Sequence, residues 1–191
     1  MKKALIILIL FFGSIISVSA EIKRITSGNA NAKITIIAYE SLTCSHCADF
    51  HKDIYPQLKI EYIDTGLAKI EFRHYPLDIA AFNASKIVQC KEDQGLEILE
   101  SLYLNQLAWV KGNTIEKINN NLKKFIKKEG FRVDFEKCIN NKEIEDFVLN
   151  DRIEGTKKFK VNATPTIIIN NKKFEKSLNY KNLKKSLEKL I

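Results

Sequence analysis

Two cysteines separated by two residues, Cys44 and Cys47, constrain this 191-residue chain more than any other feature. They follow a run of apolar and β-branched residues at 33–39 (KITIIAY), which predicts a buried strand. A second strand is predicted at 69–74 (KIEFRH). Between the cysteines and this second strand, apolar residues recur at helical spacing, namely Ala48, Phe50, Ile54 and Leu58. The sequence therefore predicts a βαβ unit that carries the cysteines at its first strand-to-helix junction.

A helix start is a place where a thiol ionises easily. The free N–H groups and the positive dipole end of the helix stabilise an anion, and Cys44 is closest to them. His46, between the cysteines, adds a hydrogen-bond donor or a positive charge beside the thiolate. The thiolate is the reactive species in disulfide exchange, and stabilising the reduced form makes a disulfide a stronger oxidant. The motif thus favours an oxidant over a reductant.

Two other uses of the cysteine pair stay open. A structural bridge between Cys44 and Cys47 would close so short a loop that it would constrain little of the chain. A metal site would combine both cysteines with His51 and with His46 or His74. Zinc usually takes four such ligands with a second paired set, and no second CxxC or HxxxH motif follows in the sequence.

The beginning of the chain predicts export. Lys2 and Lys3 precede an apolar run at 4–12, and small residues occupy positions −3 and −1 of a cleavage point before Glu21. An uncleaved membrane anchor is the alternative, although the apolar run is shorter than the roughly 20 residues of a spanning helix. We therefore expect residues 1–20 to be a cleaved signal peptide. All four cysteines would then function in a compartment where disulfides persist.

Composition and charge exclude several classes of protein. With 45% hydrophobic and 28% charged residues, the chain is neither a disordered tail, a collagen-like repeat nor a polytopic membrane protein. The net charge of +8 comes from lysines scattered over amphipathic stretches such as 113–129, which a solvated helix face explains. Because no basic cluster is interleaved with aromatic residues, we expect no nucleic acid partner.

The rest of the chain is predicted to be helical up to a second group of strands. Residues 21–32 read as a polar lead with a turn, and residues 77–157 predict several helices, one of them ended by Gly130. Residues 161–170 (VNATPTIIIN) predict a loop into a third strand, and a hairpin turn at Asn170-Asn171 leads into a short partner strand at 172–174. A terminal helix is predicted at 179–191. Residues expected on the core faces of these helices include Ile79, Leu107, Ile153 and Leu190.

The two remaining cysteines, Cys90 and Cys138, both lie in the predicted helical stretch. An even cysteine count in an exported protein makes a disulfide between them the simplest pairing. It would close a loop of about 48 residues and stabilise the fold by roughly 4 kcal/mol in the chain-entropy description. Two buried free thiols are the alternative. In either case we assign the pair a structural role.

Thr164-Pro165 stands directly before the third predicted strand. By itself it indicates a loop proline, since proline is allowed at a strand start. Beside an upstream βαβ unit with a CxxC motif it becomes informative, because in thioredoxin-like proteins a cis proline at this place faces the cysteines. Such a proline shapes the backbone of Thr164 to pair with an extended peptide.

Taken together, these segments resemble a DsbA-family thiol–disulfide oxidoreductase of the type common in alphaproteobacteria. The resemblance covers most of residues 33–175 and is carried, in order, by KITIIAYESLTCSHCADFH, YIDTGLAKIEFRHYPLD, the helical run around Cys90, FEKCI around Cys138 and ATPTIIIN. It implies an α/β protein with a thioredoxin fold interrupted by an inserted all-helical domain. Residues 21–76 and 158–191 would form the thioredoxin-like domain and residues 77–157 the insertion.

The same resemblance implies roles for individual residues. Cys44 would be the exposed nucleophile, Cys47 its buried resolving partner, His46 the residue that tunes the nucleophile, and Pro165 the cis proline. Relatives often have proline in place of Ser45, and many carry an acid in place of Ala38. In this chain the acid is Glu40, two residues further along and on the same strand face. Glu40 is a candidate proton relay for Cys47, with a surface or salt-bridged glutamate as the alternative.

The implied function is that of a periplasmic oxidoreductase that donates the Cys44–Cys47 disulfide to secreted proteins with free thiols. A membrane DsbB-like, quinone-linked partner would reoxidise it, and the cysteine pair would serve as the redox group with no cofactor or metal. About a dozen mature residues precede the first predicted strand, too few for the dimerisation domain of isomerases, so we expect a monomer. A disulfide isomerase or reductase is the alternative, followed by a periplasmic CxxC metal-binding chaperone.

Overall fold

The computed structural model describes residues 22–91, 93 and 95–191. The predicted signal peptide at 1–20 lies outside the described residues. Within these residues the strands form a sheet in the spatial order β1-β3-β2-β4-β5. The strands are β1 (Ile25–Gly28), β2 (Ile34–Glu40), β3 (Ala68–His74), β4 (Thr166–Ile169) and β5 (Lys172–Lys173).

β2 and β3 form the parallel centre of the sheet. Ile36 is the register partner of Ile70, and Glu40 that of His74. The helical segment at 45–63 makes the crossover that a parallel pair requires. β1 pairs with β3, β4 with β2, and β5 with β4, all antiparallel. The predicted α/β class and the βαβ unit are therefore confirmed.

The helical segment at 45–63 alternates between α and π geometry. Its parts are α1 (Ser45–Asp49), a π segment (Phe50–Ile54), α2 (Tyr55–Leu58) and a second π segment (Lys59–Ile63). Pro56 lies near the start of α2 and has no N–H to donate to the preceding turn, so a wider turn before it accommodates the ring. Cys47, Phe50 and Leu58 are fully buried against the sheet.

The hairpin at Asn170-Asn171 forms as predicted. Both residues have positive φ, at 46° and 64°, and they connect β4 to β5. Two successive residues of this conformation match the right-handed twist of the strands they join, and asparagine tolerates it better than most residues.

β1 is a strand that the sequence analysis missed. Ile25–Gly28 pairs along the edge of β3, whereas the sequence suggested only a polar lead. Ile25 is buried and Ser27 half-buried, with exposed residues after each, but only Ile25 of these four residues is apolar, so the sequence shows no alternation of apolar residues. β1 forms because the edge of β3 offers free backbone N–H and C=O groups for pairing. The strand propensities of residues 25–28 contain no information about that edge.

The chain between β3 and β4 forms helices, which then give way to the last strands and a terminal helix. These helices are α3 (Ile79–Gln89), α4 (Gly95–Leu104), α5 (Gln106–Trp109), α6 (Ile115–Lys128), α7 (Phe135–Ile139), α8 (Lys142–Phe159) and the terminal α9 (Tyr180–Leu187). Gly130, with φ of 80°, follows the last turn of α6 as predicted. No helix among the residues that the structure describes is long and apolar enough to cross a bilayer.

Some residues expected in the core are exposed. The exposed side chains are Ile79, Leu107, Ile153 and Leu190, with 60%, 80%, 47% and 42% of their surface accessible. Each has the right spacing from buried neighbours on its segment but lies at the margin of the buried face or beyond it. Periodicity gives the direction of a helix face, whereas its width depends on which elements cover it.

The sheet is covered on both faces. One face packs against the helical segment at 45–63 and against α3 and α4, and it contains most of the apolar core. The other face is smaller and packs Tyr39 and Ile168 against Phe159 of α8. Here α8 approaches so closely that a Cβ added at Gly155 would lie 2.7 Å from Cε1 of the fully buried Tyr39.

We expect Gly155→Ala to destabilise the protein although it raises helix propensity. The propensity gain is about 1 kcal/mol, and overpacking against a buried ring costs about 1–3 kcal/mol. Urea unfolding monitored by circular dichroism should show a net loss of about 1 kcal/mol. Asn150→Ala, at an exposed position of the same helix, is the control and should be neutral or slightly stabilising. A stabilised Gly155→Ala variant would contradict this packing.

A disulfide joins Cys90, at the end of α3, to Cys138 in α7, with the two Cα atoms 5.6 Å apart. The disulfide closes a loop between two cysteines that are 48 positions apart in the sequence. We expect Cys90→Ala/Cys138→Ala to lower the free energy of unfolding by about 4 kcal/mol, because the unfolded chain regains the entropy of the open loop. Urea unfolding under oxidising conditions measures this loss, and a loss below about 1 kcal/mol would contradict it.

Candidate active site

The loop between β2 and α1 presents Cys44 at the surface. Cys44 is the N-cap of α1, with extended backbone (φ −80°, ψ 120°), and it is partly buried. Its Sγ lies 3.3 Å from the carbonyl oxygen of Thr164, to which the thiol donates. The peptide bond between Thr164 and Pro165 is cis. The structure thus brings Cys44 together with Thr164 and Pro165, although at least 120 positions separate them in the sequence.

The surroundings of Cys44 favour its thiolate. Its pKa is lowered to about 5, first by a hydrogen bond from the Cys47 thiol, then by the side chain of Thr164 and by the backbone N–H groups of Cys47 and His46. Partial burial acts in the opposite direction. Because these contacts converge on a single sulfur, Cys44 carries a negative charge at neutral pH when the pair is reduced.

Cys47 has the opposite environment. It is completely buried, and this burial raises the pKa of its thiol far above the ordinary value. Its hydrogen bond to Cys44 and the negative charge of Glu40 raise the pKa further. Both cysteines are free thiols in the structure, so it represents the reduced form. One helical turn therefore contains two different sulfurs. Cys44 is partly exposed and ionises easily, whereas Cys47 is buried in the core and stays a neutral thiol.

Glu40 lies inside the protein beneath Cys47. Its side chain is 2% exposed, and its Oε2 is 2.9 Å from Nε2 of His51, whose side chain is 1% exposed. The ring of His51 stacks on Tyr103 of α4, with the centroids 4.2 Å apart and 15° between the planes. Of the two alternatives for Glu40, the surface position is wrong, whereas the paired one agrees with the structure, because Glu40 forms a buried pair with His51. The role of Glu40 as a proton relay stays a prediction.

Unlike Glu40 and His51, His46 lies at the surface. Its side chain is 81% exposed, with Nδ1 3.7 Å from a carboxylate oxygen of Asp49. Its contribution to the pKa of Cys44 comes through its backbone N–H. The tuning role of its ring stays a prediction. The ring borders a groove of about 570 Å³ that continues past Thr164 and Pro165 to Tyr180.

Two further residues hold the cysteine loop in place, and the sequence analysis missed both. Gln106 of α5 donates from Nε2 to the carbonyl oxygens of Leu42 (2.9 Å) and Cys44 (3.0 Å). Asp78 caps α3 through Ala81 and accepts a hydrogen bond from Thr43 Oγ1 at 2.6 Å. An aspartate before a helix is a recognisable cap, but nothing in the sequence connects Gln106 to a loop more than 60 residues earlier.

The histidines considered as metal ligands have other partners. His51 pairs with Glu40, and Nε2 of His74 is 3.1 Å from the side-chain oxygen of Gln89. In residues 22–91, 93 and 95–191, no group of three or more His, Cys, Asp or Glu side chains is arranged to hold a metal ion.

Comparison with known proteins agrees with this geometry. A family model described as thioredoxin matches residues 20–189. The crystal structure of alpha-DsbA1 from Wolbachia pipientis superposes with a TM-score of 0.77 at 28% identity, covering 86% of this chain and 89% of that chain. Disulfide bond formation protein D of Bacillus subtilis is 25% identical over 172 residues, which is 85% of this chain and 74% of the relative.

A putative protein-disulfide oxidoreductase of Rickettsia bellii is 27% identical over 147 residues, covering 75% of this chain and 55% of the relative. This chain thus spans about half the length of the Rickettsia proteins that it matches. The predicted thioredoxin fold is confirmed, and so is the resemblance inferred from the sequence. The chain belongs to the thioredoxin family and, within it, to the DsbA family.

Proposed function

We propose that this protein is an exported thiol–disulfide oxidoreductase that donates its Cys44–Cys47 disulfide to other proteins. The observation that carries the proposal is the contrast between the two sulfurs. Cys44 has a pKa of about 5 and is partly accessible, whereas Cys47 is fully buried. A disulfide whose reduced form contains a stabilised thiolate is readily reduced by other thiols, and it is therefore an oxidant.

The reaction needs only the two cysteines. A substrate thiolate attacks Cys44 Sγ, the bond between the two cysteines breaks, and the electron pair leaves with Cys47 Sγ, which takes a proton. A second substrate thiol, after losing its proton, attacks the substrate sulfur of the mixed disulfide and releases Cys44 as a thiolate. The substrate leaves with one disulfide and the protein with a dithiol, so two electrons have moved from substrate to protein. No cofactor is required because the sulfurs carry both electrons.

The groove beside Cys44 supports a polypeptide substrate. The carbonyl oxygen of Thr164 lies within 3.3 Å of Cys44 Sγ, so an extended peptide running past Thr164 would bring its own sulfur to the nucleophile. Pro165 removes one backbone N–H from this edge, so the peptide would pair with Thr164. This arrangement suits unfolded or folding proteins with free thiols, and we propose these as the substrates.

The cellular setting of the proposal follows from the sequence. A signal peptide at 1–20 would export the protein to the periplasm, where a membrane DsbB-like, quinone-linked partner would reoxidise it. We further propose a monomer made of a thioredoxin-like domain (21–76 and 158–191) and a helical insertion (77–157). We propose no nucleic acid partner, since the basic residues are scattered.

The first experiment is the redox equilibrium of the Cys44–Cys47 pair against glutathione, with Cys90 and Cys138 intact. A potential near that of DsbA, about −120 mV, is expected for an oxidase. A potential near that of thioredoxin, about −270 mV, would overturn this function in favour of a reductase. Turnover of scrambled substrates in preference to reduced ones would favour an isomerase. Stoichiometric retention of copper or zinc, lost in Cys44→Ser, would favour a metal chaperone.

We expect the two cysteines to have different mutant phenotypes. Cys44→Ser should abolish oxidation of a dithiol peptide, because it removes the sulfur that the substrate attacks. Cys47→Ser should keep the nucleophile but form no internal disulfide, and it should accumulate mixed disulfides with thiol-activated peptides. Mass spectrometry of the trapped adducts distinguishes the two variants. Stable adducts on Cys44→Ser would reverse the assignment.

The pH dependence follows from the lowered pKa of Cys44. In the unfolded chain a cysteine ionises near pH 8.5, while in the folded reduced protein Cys44 ionises at about 5. The thiolate therefore stabilises the folded reduced protein fully above about pH 8.5, and this stabilisation is lost as the pH falls through about 5. The ultraviolet absorbance of the thiolate should titrate at about 5 and be absent in Cys44→Ser. A midpoint near that of a free cysteine would contradict the prediction.

A further inference from the structure

The groove beside Cys44 is bounded on one side by the helical segment at 45–63. The residues that this segment contributes to the groove are His46, Asp49, Phe50, Asp53 and Ile54. Thr164 and Pro165 line the same groove, and the carbonyl oxygen of Thr164 lies 3.3 Å from Cys44 Sγ. A polypeptide that reacts at Cys44 can therefore place the residues next to its cysteine along this helical wall.

The groove combines an apolar floor with acidic residues at its rim. Phe50 is buried and Ile54 is half-buried, whereas Asp49 and Asp53 are exposed. Leu178 adds another half-buried apolar side chain. The two aspartates are four residues apart, so they lie on the same side of the helical segment. An apolar floor with a negative rim suits a side chain that has an apolar stem and a positive end.

The acidic residues of the helical segment and its end differ in their partners. Asp64 pairs with Lys59 at 2.6 Å and Glu61 with Lys184 at 2.7 Å, and neither acid lines the groove. The two aspartates that do line it pair with no lysine or arginine in the part of the chain that the structure describes. Their negative charge is therefore available to a ligand in the groove.

Two basic residues are close to the aspartates in the sequence. His46 Nδ1 is 3.7 Å from a carboxylate oxygen of Asp49, but this pair is ionic only when the ring is protonated. Lys52 is exposed and borders a different groove, next to Leu104 and Leu107. Among the described residues, no lysine or arginine lines the groove beside Cys44. A chain with a net charge of +8 thus presents a negative groove next to its nucleophile.

The spacing of the aspartates corresponds to particular positions of an extended peptide. At a rise of about 1.5 Å per residue, Asp49 lies about 7.5 Å and Asp53 about 13.5 Å along the segment from Cys44. Successive residues of an extended chain are about 3.3 Å apart, and every second side chain points the same way. Side chains two and four residues from the reacting cysteine therefore reach the two carboxylates, and they point to the same side as that cysteine.

We propose that Asp49 and Asp53 determine specificity by selecting polypeptide segments that have a lysine or arginine two to four residues from the cysteine that attacks Cys44. This inference rests on the proposed function and specifies its substrate class. The stem of the basic side chain packs on Ile54 and Leu178, and its charge pairs with a carboxylate. A groove lined by one sign of charge also attracts the segment before contact and raises the rate of encounter.

The test uses dithiol peptides that are identical except at one position, two or four residues from the nearer cysteine on either side. That position is lysine or norleucine, which keeps an apolar stem but has no charge. An exposed ion pair changes an affinity by about fivefold or less, so we expect the best lysine peptide to exceed its norleucine counterpart about fivefold in kcat/KM. The difference should lie mainly in KM, and high salt should reduce it, because salt screens exposed charges.

Asp49→Asn/Asp53→Asn removes both carboxylates and should reduce the preference for lysine to less than about twofold. The matched control Asp64→Asn/Asp146→Asn removes the same charge from two exposed aspartates outside the groove, and it should keep the wild-type preference. Asp53→Asn alone leaves the contact between Asp49 and His46 intact and should lower the preference by about half. A lysine also changes the pKa of a neighbouring cysteine, but this effect is the same for every protein variant and cancels in the comparison.

Three results would overturn the inference. The first is a kcat/KM for the norleucine peptides that equals or exceeds that for the lysine peptides at every position, which would indicate a groove that selects apolar segments or none. The second is a preference for lysine that persists in Asp49→Asn/Asp53→Asn. The third is an equal loss of preference in Asp64→Asn/Asp146→Asn, which would assign the effect to the net charge of the protein.

The same peptides with their disulfide closed, offered to the reduced protein, pass through the same mixed disulfide in the opposite direction. If the protein reduces these peptides with a preference for lysine but does not oxidise the dithiol forms, the proposed function is wrong and the inference about the groove stands. If it oxidises the dithiol peptides with no preference for lysine, the proposed function stands and the inference is wrong.

Discussion

Residues 44 to 47 must hold two sulfurs within bonding reach of each other, one in partial contact with solvent and the other in the core. Cys44 ends an extended loop, whereas Cys47 enters the buried side of the helical segment at 45–63. Burial disfavours the charged form of Cys47, and the hydrogen bonds that converge on Cys44 favour its charged form. The difference in acidity between the two thiols is therefore a consequence of where one short helical turn meets the sheet.

Keeping this turn in place requires residues from distant segments of the chain. The helices between β3 and β4 contribute Asp78, which holds Thr43, and Gln106, which holds the carbonyl oxygen of Cys44. The loop before β4 contributes the Thr164 carbonyl oxygen. Backbone carbonyl groups in a loop are satisfied by water unless side chains reach them, so these hydrogen bonds exchange solvent contacts for a defined geometry. The helical region between β3 and β4 thus takes part in the redox site.

The buried pair of Glu40 and His51 places two polar side chains in the core beside the cysteines. A carboxylate removed from water is unfavourable unless it is paired, and here Glu40 Oε2 lies 2.9 Å from Nε2 of His51. The stacking of His51 on Tyr103 and its contact with Phe72 keep the ring rigid in this arrangement. The negative charge of Glu40 acts on the neighbouring Cys47 and raises the pKa of its thiol.

The sequence alone determined the βαβ unit, the helical stretch, the hairpin at Asn170-Asn171 and the residues most relevant to the chemistry. These features depend on short-range patterns: runs of apolar and β-branched residues in strands, helical spacing, turn residues and the two-residue gap between Cys44 and Cys47. Only the tertiary structure decided that β1 pairs with β3, that Ile79 and Leu107 are exposed, and that Gln106 clamps the cysteine loop. It also decided that Glu40 is buried against His51. Each of these depends on which distant segment covers a given atom, and no local pattern records this information because burial belongs to the assembled chain.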